Sequence, residues 1–147
     1  MITPDPIYRY SFVVSETALD ANGHVNNVHY VQWMQDVAVR HFEALGGLPP
    51  TQAAGATWVV RSHNIEYLNP AFVGEQIEVR TWVASVRRVR CLRRYEFVRP
   101  ADGKLLVRGA TEWIFVDAKS GRPLSIPDEV MQVFPLLPDD ENMININ

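Results

Sequence analysis

The sequence predicts an α+β domain in which an antiparallel sheet wraps one long helix, in the order β–α–β–β–β–β. Three observations carry that prediction. One segment, 27–45, has apolar residues at helical spacing around much of its girth. The segments on either side of it alternate with a period of two, and those that follow it are separated by turn-forming residues. The chain has 147 residues, 47% of them hydrophobic, which supplies one core and therefore one domain over 1–147.

In chain order, 7–16 is the first strand, with Tyr8, Tyr10, Phe12 and Val14 on one face and Arg9 and Ser11 on the other. A loop over 17–26 leads into the helix. Val31, Met34, Ala38, Phe42 and Leu45 form its apolar stripe, and Tyr30, Trp33 and Val37 widen it. Its length is on the order of 28 Å at 1.5 Å per residue. Gly46-Gly47 ends it, because glycine accepts the left-handed conformation after a last turn, and Pro49-Pro50 is expected to prevent its resumption. Strands follow over 57–68, 76–85, 89–99 and 104–116. Between them lie Asn69-Pro70 with Gly74, and the hairpin Pro100-Ala101-Asp102-Gly103, whose Asp-Gly tolerates positive φ. After a turn at Ser120-Gly121-Arg122-Pro123 comes a short helix within 128–134, so the core runs over about 7–130 and the tail to Asn147 is expected to be loosely ordered. A sheet of this size has a second face, and Trp82, Trp113 and Ile114 need cover, so a homodimer or homotetramer is expected. The alternative is a monomer with one solvated sheet face.

Composition excludes several classes of function. A net charge of −3 argues against a nucleic-acid binder. No run approaches the roughly 20 apolar residues of a membrane span. The first residues carry no apolar stretch that reads as a signal peptide. The single cysteine, Cys91, permits no intrachain disulfide, and a reducing, cytoplasmic setting is expected. Cys91 sits in a strand-like run and reads as a packing residue; as a nucleophile it would need a histidine from elsewhere in the chain.

The chemistry concentrates in Leu19-Asp20-Ala21-Asn22-Gly23-His24-Val25-Asn26-Asn27-Val28-His29-Tyr30. This short loop holds a carboxylate, two imidazoles and three side-chain amides just before the helix, and loops set on a rigid scaffold tend to carry function. Asp20 is either a helix cap or a reacting group; Asn26 and Asn27 are better placed to cap, which frees Asp20. A helix N-terminus offers unpaired N–H groups and the positive end of a dipole. The N–H groups over Asn26, Asn27 and Val28 are therefore candidates for stabilising the oxyanion of an acyl-transfer reaction. Asp20 would deprotonate water or attack directly, with Asn22 positioning the water or the carboxylate. His24 would donate to the leaving group or hold Asp20 in place. His24 and His29 lack accompanying cysteines or clustered carboxylates, so no metal is expected.

The stretch Asp20-Ala21-Asn22-Gly23-His24-Val25-Asn26-Asn27-Val28-His29-Tyr30 resembles the signature of the hot-dog-fold thioesterases, closest to the acyl-ACP branch with its Asp-x-Asn-x-His-Val-Asn-Asn pattern. Ile65-Glu66-Tyr67, Pro70 and Gly74-Glu75 resemble that family's second strand and turn, and Asp117, Gly121-Arg122-Pro123 and Ile126-Pro127 its C-terminal end. The resemblance covers roughly residues 7–130. It implies a hydrolase of acyl-CoA or acyl-carrier-protein thioesters with no metal or organic cofactor, active at subunit interfaces of a dimer or tetramer. It makes Asp20 the general base or nucleophile and Asn22 and His24 its partners. Aligned through Gly55-Ala56-Thr57, this chain has His63-Asn64 where plant-type enzymes carry Glu followed by Cys, so His63 is the candidate substitute.

Further candidates contact the substrate. Arg87, Arg88, Arg90, Arg93, Arg94 and Arg99 crowd one stretch, and alternation splits them between two sheet faces. They read either as a solvated hairpin or as a phosphate site for coenzyme A or an acidic carrier protein, with Arg88, Arg90 and the more distant Arg61 as ligands. Tyr30, Trp33 and Trp58 would line an acyl pocket, or simply fill the core. Two other readings suit the same fold: an acyl-thioester hydratase or dehydratase using His24 and Asp20, and a non-catalytic acyl-CoA binding module.

Overall fold

In a computed structural model that describes residues 5–139, the alternating segments form five strands. They are β1 (Tyr8–Val13), β2 (Ala56–Tyr67), β3 (Gln76–Arg87), β4 (Arg90–Arg99) and β5 (Lys104–Asp117). All pairs are antiparallel and the order is β1-β3-β4-β5-β2, which puts β1 and β2 at opposite edges. The long helix α1 (Asn27–Ala44) starts where the polar loop ends. Asn26 caps it, its side-chain oxygen accepting from the Val28 N–H at 3.1 Å. Gly46, at φ +76°, takes the left-handed conformation that ends it.

As expected, the long helix does not resume; Pro49 and Pro50 sit in the first turn of a second short helix, α2 (Leu48–Ala53), that the expected element order lacks. A first turn has no use for the proline N–H, so proline there suits a new helix while blocking the old one. The short helix near the C-terminus is α3 (Asp128–Met131). Among the described residues, no helix is long and apolar enough to cross a membrane.

The helix lies against one face of the sheet, and the core divides into two clusters. The first gathers Tyr30, Met34, Val37, Ile77, Val79, Tyr95, Phe97 and Val107. The second gathers Val83, Cys91, Phe115, Ile126, Val130 and Phe134, flanked by Phe42 and Trp58. Where they meet, buried polar residues interleave on the same face. Arg93 lies between Cys91 and Tyr95, Thr81 between Val79 and Val83, and His41 between Ala38 and Phe42. Register places Arg93 opposite Thr111, and Thr111 opposite His63. The Arg93 Nη1 donates to His41 Nδ1 at 2.8 Å and to Thr81 Oγ1 at 3.1 Å.

Because a guanidinium only donates, His41 Nδ1 must accept, which leaves the imidazole neutral with its proton on Nε2. Burial, and then the Arg93 charge, push the His41 pKa down from 6.5 to about 4. The unfolded chain therefore takes up a proton that the folded chain refuses. Stability from this group is complete above pH 6.5 and drains away as pH falls toward 4. The loss is on the order of 2 kcal/mol. Urea midpoints measured across that window should fall with pH in the wild type. The slope should be shallower in His41→Gln, whose amide oxygen can still accept from Arg93. Parallel slopes would remove His41 from the account.

The opposite face of the sheet is polar. Arg61 and Arg90 both approach Glu112, at 3.4 and 3.8 Å, and Arg108 approaches Glu66 at 3.5 Å. The expectation that Trp82, Trp113 and Ile114 need cover from outside is thereby corrected. Trp113 packs on the helix side against both clusters, and Trp82 and Ile114 are buried within the chain. The tail is corrected in part as well. The Leu137 N–H donates to the Val83 carbonyl at 2.9 Å, and the Asp139 carboxylate takes two bonds from Arg94, at 2.9 and 2.7 Å. The remainder of the expected loose tail, 140–147, lies outside the described residues.

Candidate active site

The polar loop is held by its own backbone. Asp20 N–H donates to the His24 carbonyl at 2.7 Å, and Gly23 N–H to the Asp20 carbonyl at 3.1 Å. Gly23 takes φ +77°, a conformation glycine adopts without steric cost. The Asp20 side chain completes the turn: its Oδ1 accepts from the Asn22 N–H at 2.8 Å and the His24 N–H at 3.1 Å. Its Oδ2 accepts no hydrogen bond from the described residues. One oxygen is thus structural and the other is open, on an exposed residue at the mouth of a cleft.

The cleft has a volume of about 300 Å³. One wall is the loop and helix start, with Asp20, His24, Val25, Asn27 and Tyr30. The other is the end of β2 and the turn beyond it, from Tyr67 to Ala71. Val25 N–H donates to the Ala71 carbonyl at 3.0 Å, and Tyr67 Oη to the Asn27 carbonyl at 3.3 Å, so the walls are joined. The His24 ring meets Phe72 edge-on, with centroids 5.1 Å apart. The second wall is itself braced. Asn69 Nδ2 donates to the Leu105 carbonyl at 2.8 Å, and Arg99 Nη1 donates to the Pro70 carbonyl and to Glu75, each at 3.2 Å. Phe72 N–H donates to Glu75 Oε1 at 2.8 Å.

Two of the three N–H groups expected as oxyanion donors are engaged. Asn26 N–H is bound to the Ala18 carbonyl at 2.7 Å, and Val28 N–H to its own cap. The Asn27 N–H is the one of the three with no acceptor among the described residues, and Asn27 lines the cleft. Tyr30 forms the floor. Its ring meets those of Trp33, Tyr67 and Phe97 edge-on, and its hydroxyl is buried without a partner. Burial first, then the charge of Glu75 and the neighbouring Tyr67, push the Tyr30 pKa up to about 12, so it stays a neutral donor.

The structure therefore brings together Asp20, His24, Asn27 and Tyr30, and sets the other expected residues elsewhere. Asn22 contributes its backbone N–H to Asp20, while its side chain does not line the cleft. His63 bonds Thr111 Oγ1 through Nδ1 at 2.8 Å, and burial lowers its pKa. It stands about 13 Å along β2 from Tyr67, at the rise of an extended strand. Trp33 packs on Phe12 and Tyr30, and Trp58 on Phe115 near the far end of the helix. Arg61 and Arg90 are engaged with Glu112 on the outer face, and Arg88 occupies the β3–β4 turn with φ 53°. Tyr67 and Asn69 do not figure among the candidates read from the sequence, where the run Ile65-Glu66-Tyr67 with Pro70 is their signal, and Arg99 figures only within the arginine cluster. Among the described residues, no three His, Cys, Asp or Glu side chains gather as a metal site would require.

The sequence profile of the thioesterase-like superfamily matches residues 14–134. The chain is 26% identical to the chloroplastic acyl-[acyl-carrier-protein] hydrolase FATB3 of Cuphea viscosissima, over 93% of this chain and 35% of that protein. It therefore spans about a third of the length of that relative. Its fold is similar to the 12:0-ACP thioesterase of Umbellularia californica, with a TM-score of 0.82 and 18% identity over 92% of this chain and 54% of the other. It is also similar to a 1,4-dihydroxy-2-naphthoyl-CoA thioesterase from Synechocystis, with a TM-score of 0.77 and 16% identity over 86% and 94% of the two chains. At these identities the structural likeness bears on the fold, a five-stranded antiparallel sheet around a central helix as in hot-dog thioesterases.

Proposed function

The chain belongs to the thioesterase-like superfamily, and from that premise we propose that it hydrolyses an acyl thioester of coenzyme A or of an acyl carrier protein to the free acid and thiol. The observation that carries the reading is the divided carboxylate of Asp20: Oδ1 is fixed by two backbone N–H groups, and Oδ2 is open to the cleft that Asn27 also lines, whose N–H has no acceptor among the described residues. Oδ2 takes a proton from water, and the resulting hydroxide attacks the thioester carbonyl. The carbonyl oxygen becomes an oxyanion, stabilised by the Asn27 N–H and the positive end of the α1 dipole. Collapse of the intermediate breaks the C–S bond, and the thiolate leaves with the proton that Asp20 holds. Fixing Oδ1 in advance spares the enzyme the ordering of this group during the reaction. His24 serves by its backbone N–H, which orients Asp20, and by its ring, which walls the cleft against Phe72.

A homodimer accompanies this reading. The twelve residues of β2 form an edge strand whose outer side has no neighbouring strand among the described residues, with Val59 and Tyr67 exposed on it. A long edge of this kind is a template for pairing with a second copy.

Thiol release over a panel of acyl-CoA and acyl-carrier-protein substrates tests the proposal. Release from at least one substrate class is expected. Enoyl absorbance changing without thiol release would replace hydrolysis by hydration, and tight binding without turnover would make the chain a binding module.

A further inference from the structure

A second cavity lies at the other end of the helix, with a volume of about 70 Å³. It is walled by Phe42, Trp58, Trp113 and Phe134, and Arg93 is the one cation on its lining. Tyr30 and Asn27 line the Asp20 cleft, whereas Ala38 and Phe42 line this cavity, so the two sites are on the order of 12–20 Å apart along α1.

Arg93 is 3% exposed and forms no ion pair with any described residue. Nη1 alone is engaged, with a neutral imidazole and a hydroxyl. Nε and Nη2 donate to no described residue. A buried cation without an anionic partner is costly, and arginine does not escape the cost by losing its proton. No described residue around it supplies the missing charge. Burial pushes the Cys91 thiol up to about 11 and raises the Tyr95 hydroxyl too, so both stay neutral. The surroundings compound the imbalance, since the Trp58 indole N–H is also buried without an acceptor among the described residues and the Trp113 indole N–H faces the neutral Tyr95 hydroxyl. Donors outnumber acceptors at an apolar hole, and the complement is an acceptor-only, singly negative group on an apolar body.

We infer that this cavity is a binding site for a small monocarboxylate, its head on the Arg93 guanidinium and its short aliphatic body among Phe42, Trp58 and Phe134. The volume is about half that of a ~150 Å³ cavity that takes up benzene, so it suits a body of about three carbons. The site is separate from the Asp20 cleft and does not depend on the hydrolytic reading.

The two indoles make the test direct. Full-length chain labelled with ¹⁵N is titrated with propanoate and butanoate, and in parallel with 1-propanol and 1-butanol, while the indole N–H signals are followed. Trp58→Phe and Trp113→Phe assign them. The acids should shift the Trp58 and Trp113 signals saturably, leave Trp33 and Trp82 in place, and bind at least about tenfold more tightly than the alcohols, as a charge-assisted bond provides. Arg93→Gln keeps a donor for His41 and Thr81 and should abolish the preference for the acid. If that variant does not fold, the wild-type acid–alcohol ratio decides alone. Asp20→Asn should bind the acids unchanged. Equal affinity for acids and alcohols, or no movement of the two indole signals, would overturn the assignment.

Discussion

Asp20→Asn is expected to lower thiol release by about 10²–10⁴-fold, the usual contribution of a general base. The substitution is chosen for what it preserves. Oδ1 of the amide can still accept the Asn22 and His24 N–H groups, so the turn and the path into α1 should survive. What is lost is the open oxygen, which becomes an NH₂ that cannot take a proton from water. The fall should therefore appear in kcat with KM little changed, because the carboxylate is asked to act in the transition state rather than to hold substrate. Asp20→Ala removes the turn as well, and should be worse by whatever the loop's order contributes. Near wild-type turnover by folded Asp20→Asn on the best substrate would exclude this carboxylate from the chemistry.

Phe97→Ala is expected to destabilise the fold by about 3–5 kcal/mol, the range for deleting a buried aromatic ring. Phe97 is fully buried on the central strand β4, opposite Val79 of β3 and Val107 of β5. Its ring carries Tyr30 at 5.1 Å and Trp33 at 6.4 Å, so it supports the start of α1 from below. The cavity left by alanine opens beneath the cleft floor, among Val79, Val107, Tyr30 and Trp33. Phe97→Leu retains most of the volume and should cost less than half as much. Urea unfolding of both variants checks the ordering. A cost for alanine as small as that for leucine would mean that the helix settles into the space, and that the floor is not held by this ring.

Much of this architecture was legible because it is local. Asn26 and Gly46 mark the two ends of α1 by capping chemistry that needs no knowledge of the rest of the chain. Ile77, Val79, Thr81 and Val83 alternate, and all four are buried as that alternation implies. The errors share a cause too. Pro49 and Pro50 say that one helix cannot continue, but not that another begins. Period-two spacing separates the faces of β5, yet does not say which face meets the helix, and so Trp113 was assigned to the wrong problem. Candidate site residues divide in the same way. Asp20, His24 and Asn27 are neighbours in sequence and remain neighbours in space. The opposite wall arrives from Tyr67 to Ala71, and Arg99 braces it from a different hairpin. No periodicity encodes a meeting of that kind. Arg93 was visible only as one of a crowd of arginines; its burial follows from β4 being central and from the parity of its position.

The sheet order has a consequence in chain entropy. Strands β3, β4 and β5 form a meander in which each neighbour is also the next in sequence, so its contacts close short loops. The cleft has the opposite character: Tyr67 and Asn27, which join its walls, are 40 residues apart. On a three-halves RT ln n scaling, closing such a span costs about 2 kcal/mol more than closing a hairpin turn of about four residues. That cost is met only when α1 lies down on the meander and both edge strands are in place. The contact that joins the two walls holding the reacting groups thus costs more chain entropy than any turn of the meander, and the completed sheet is a precondition of the site.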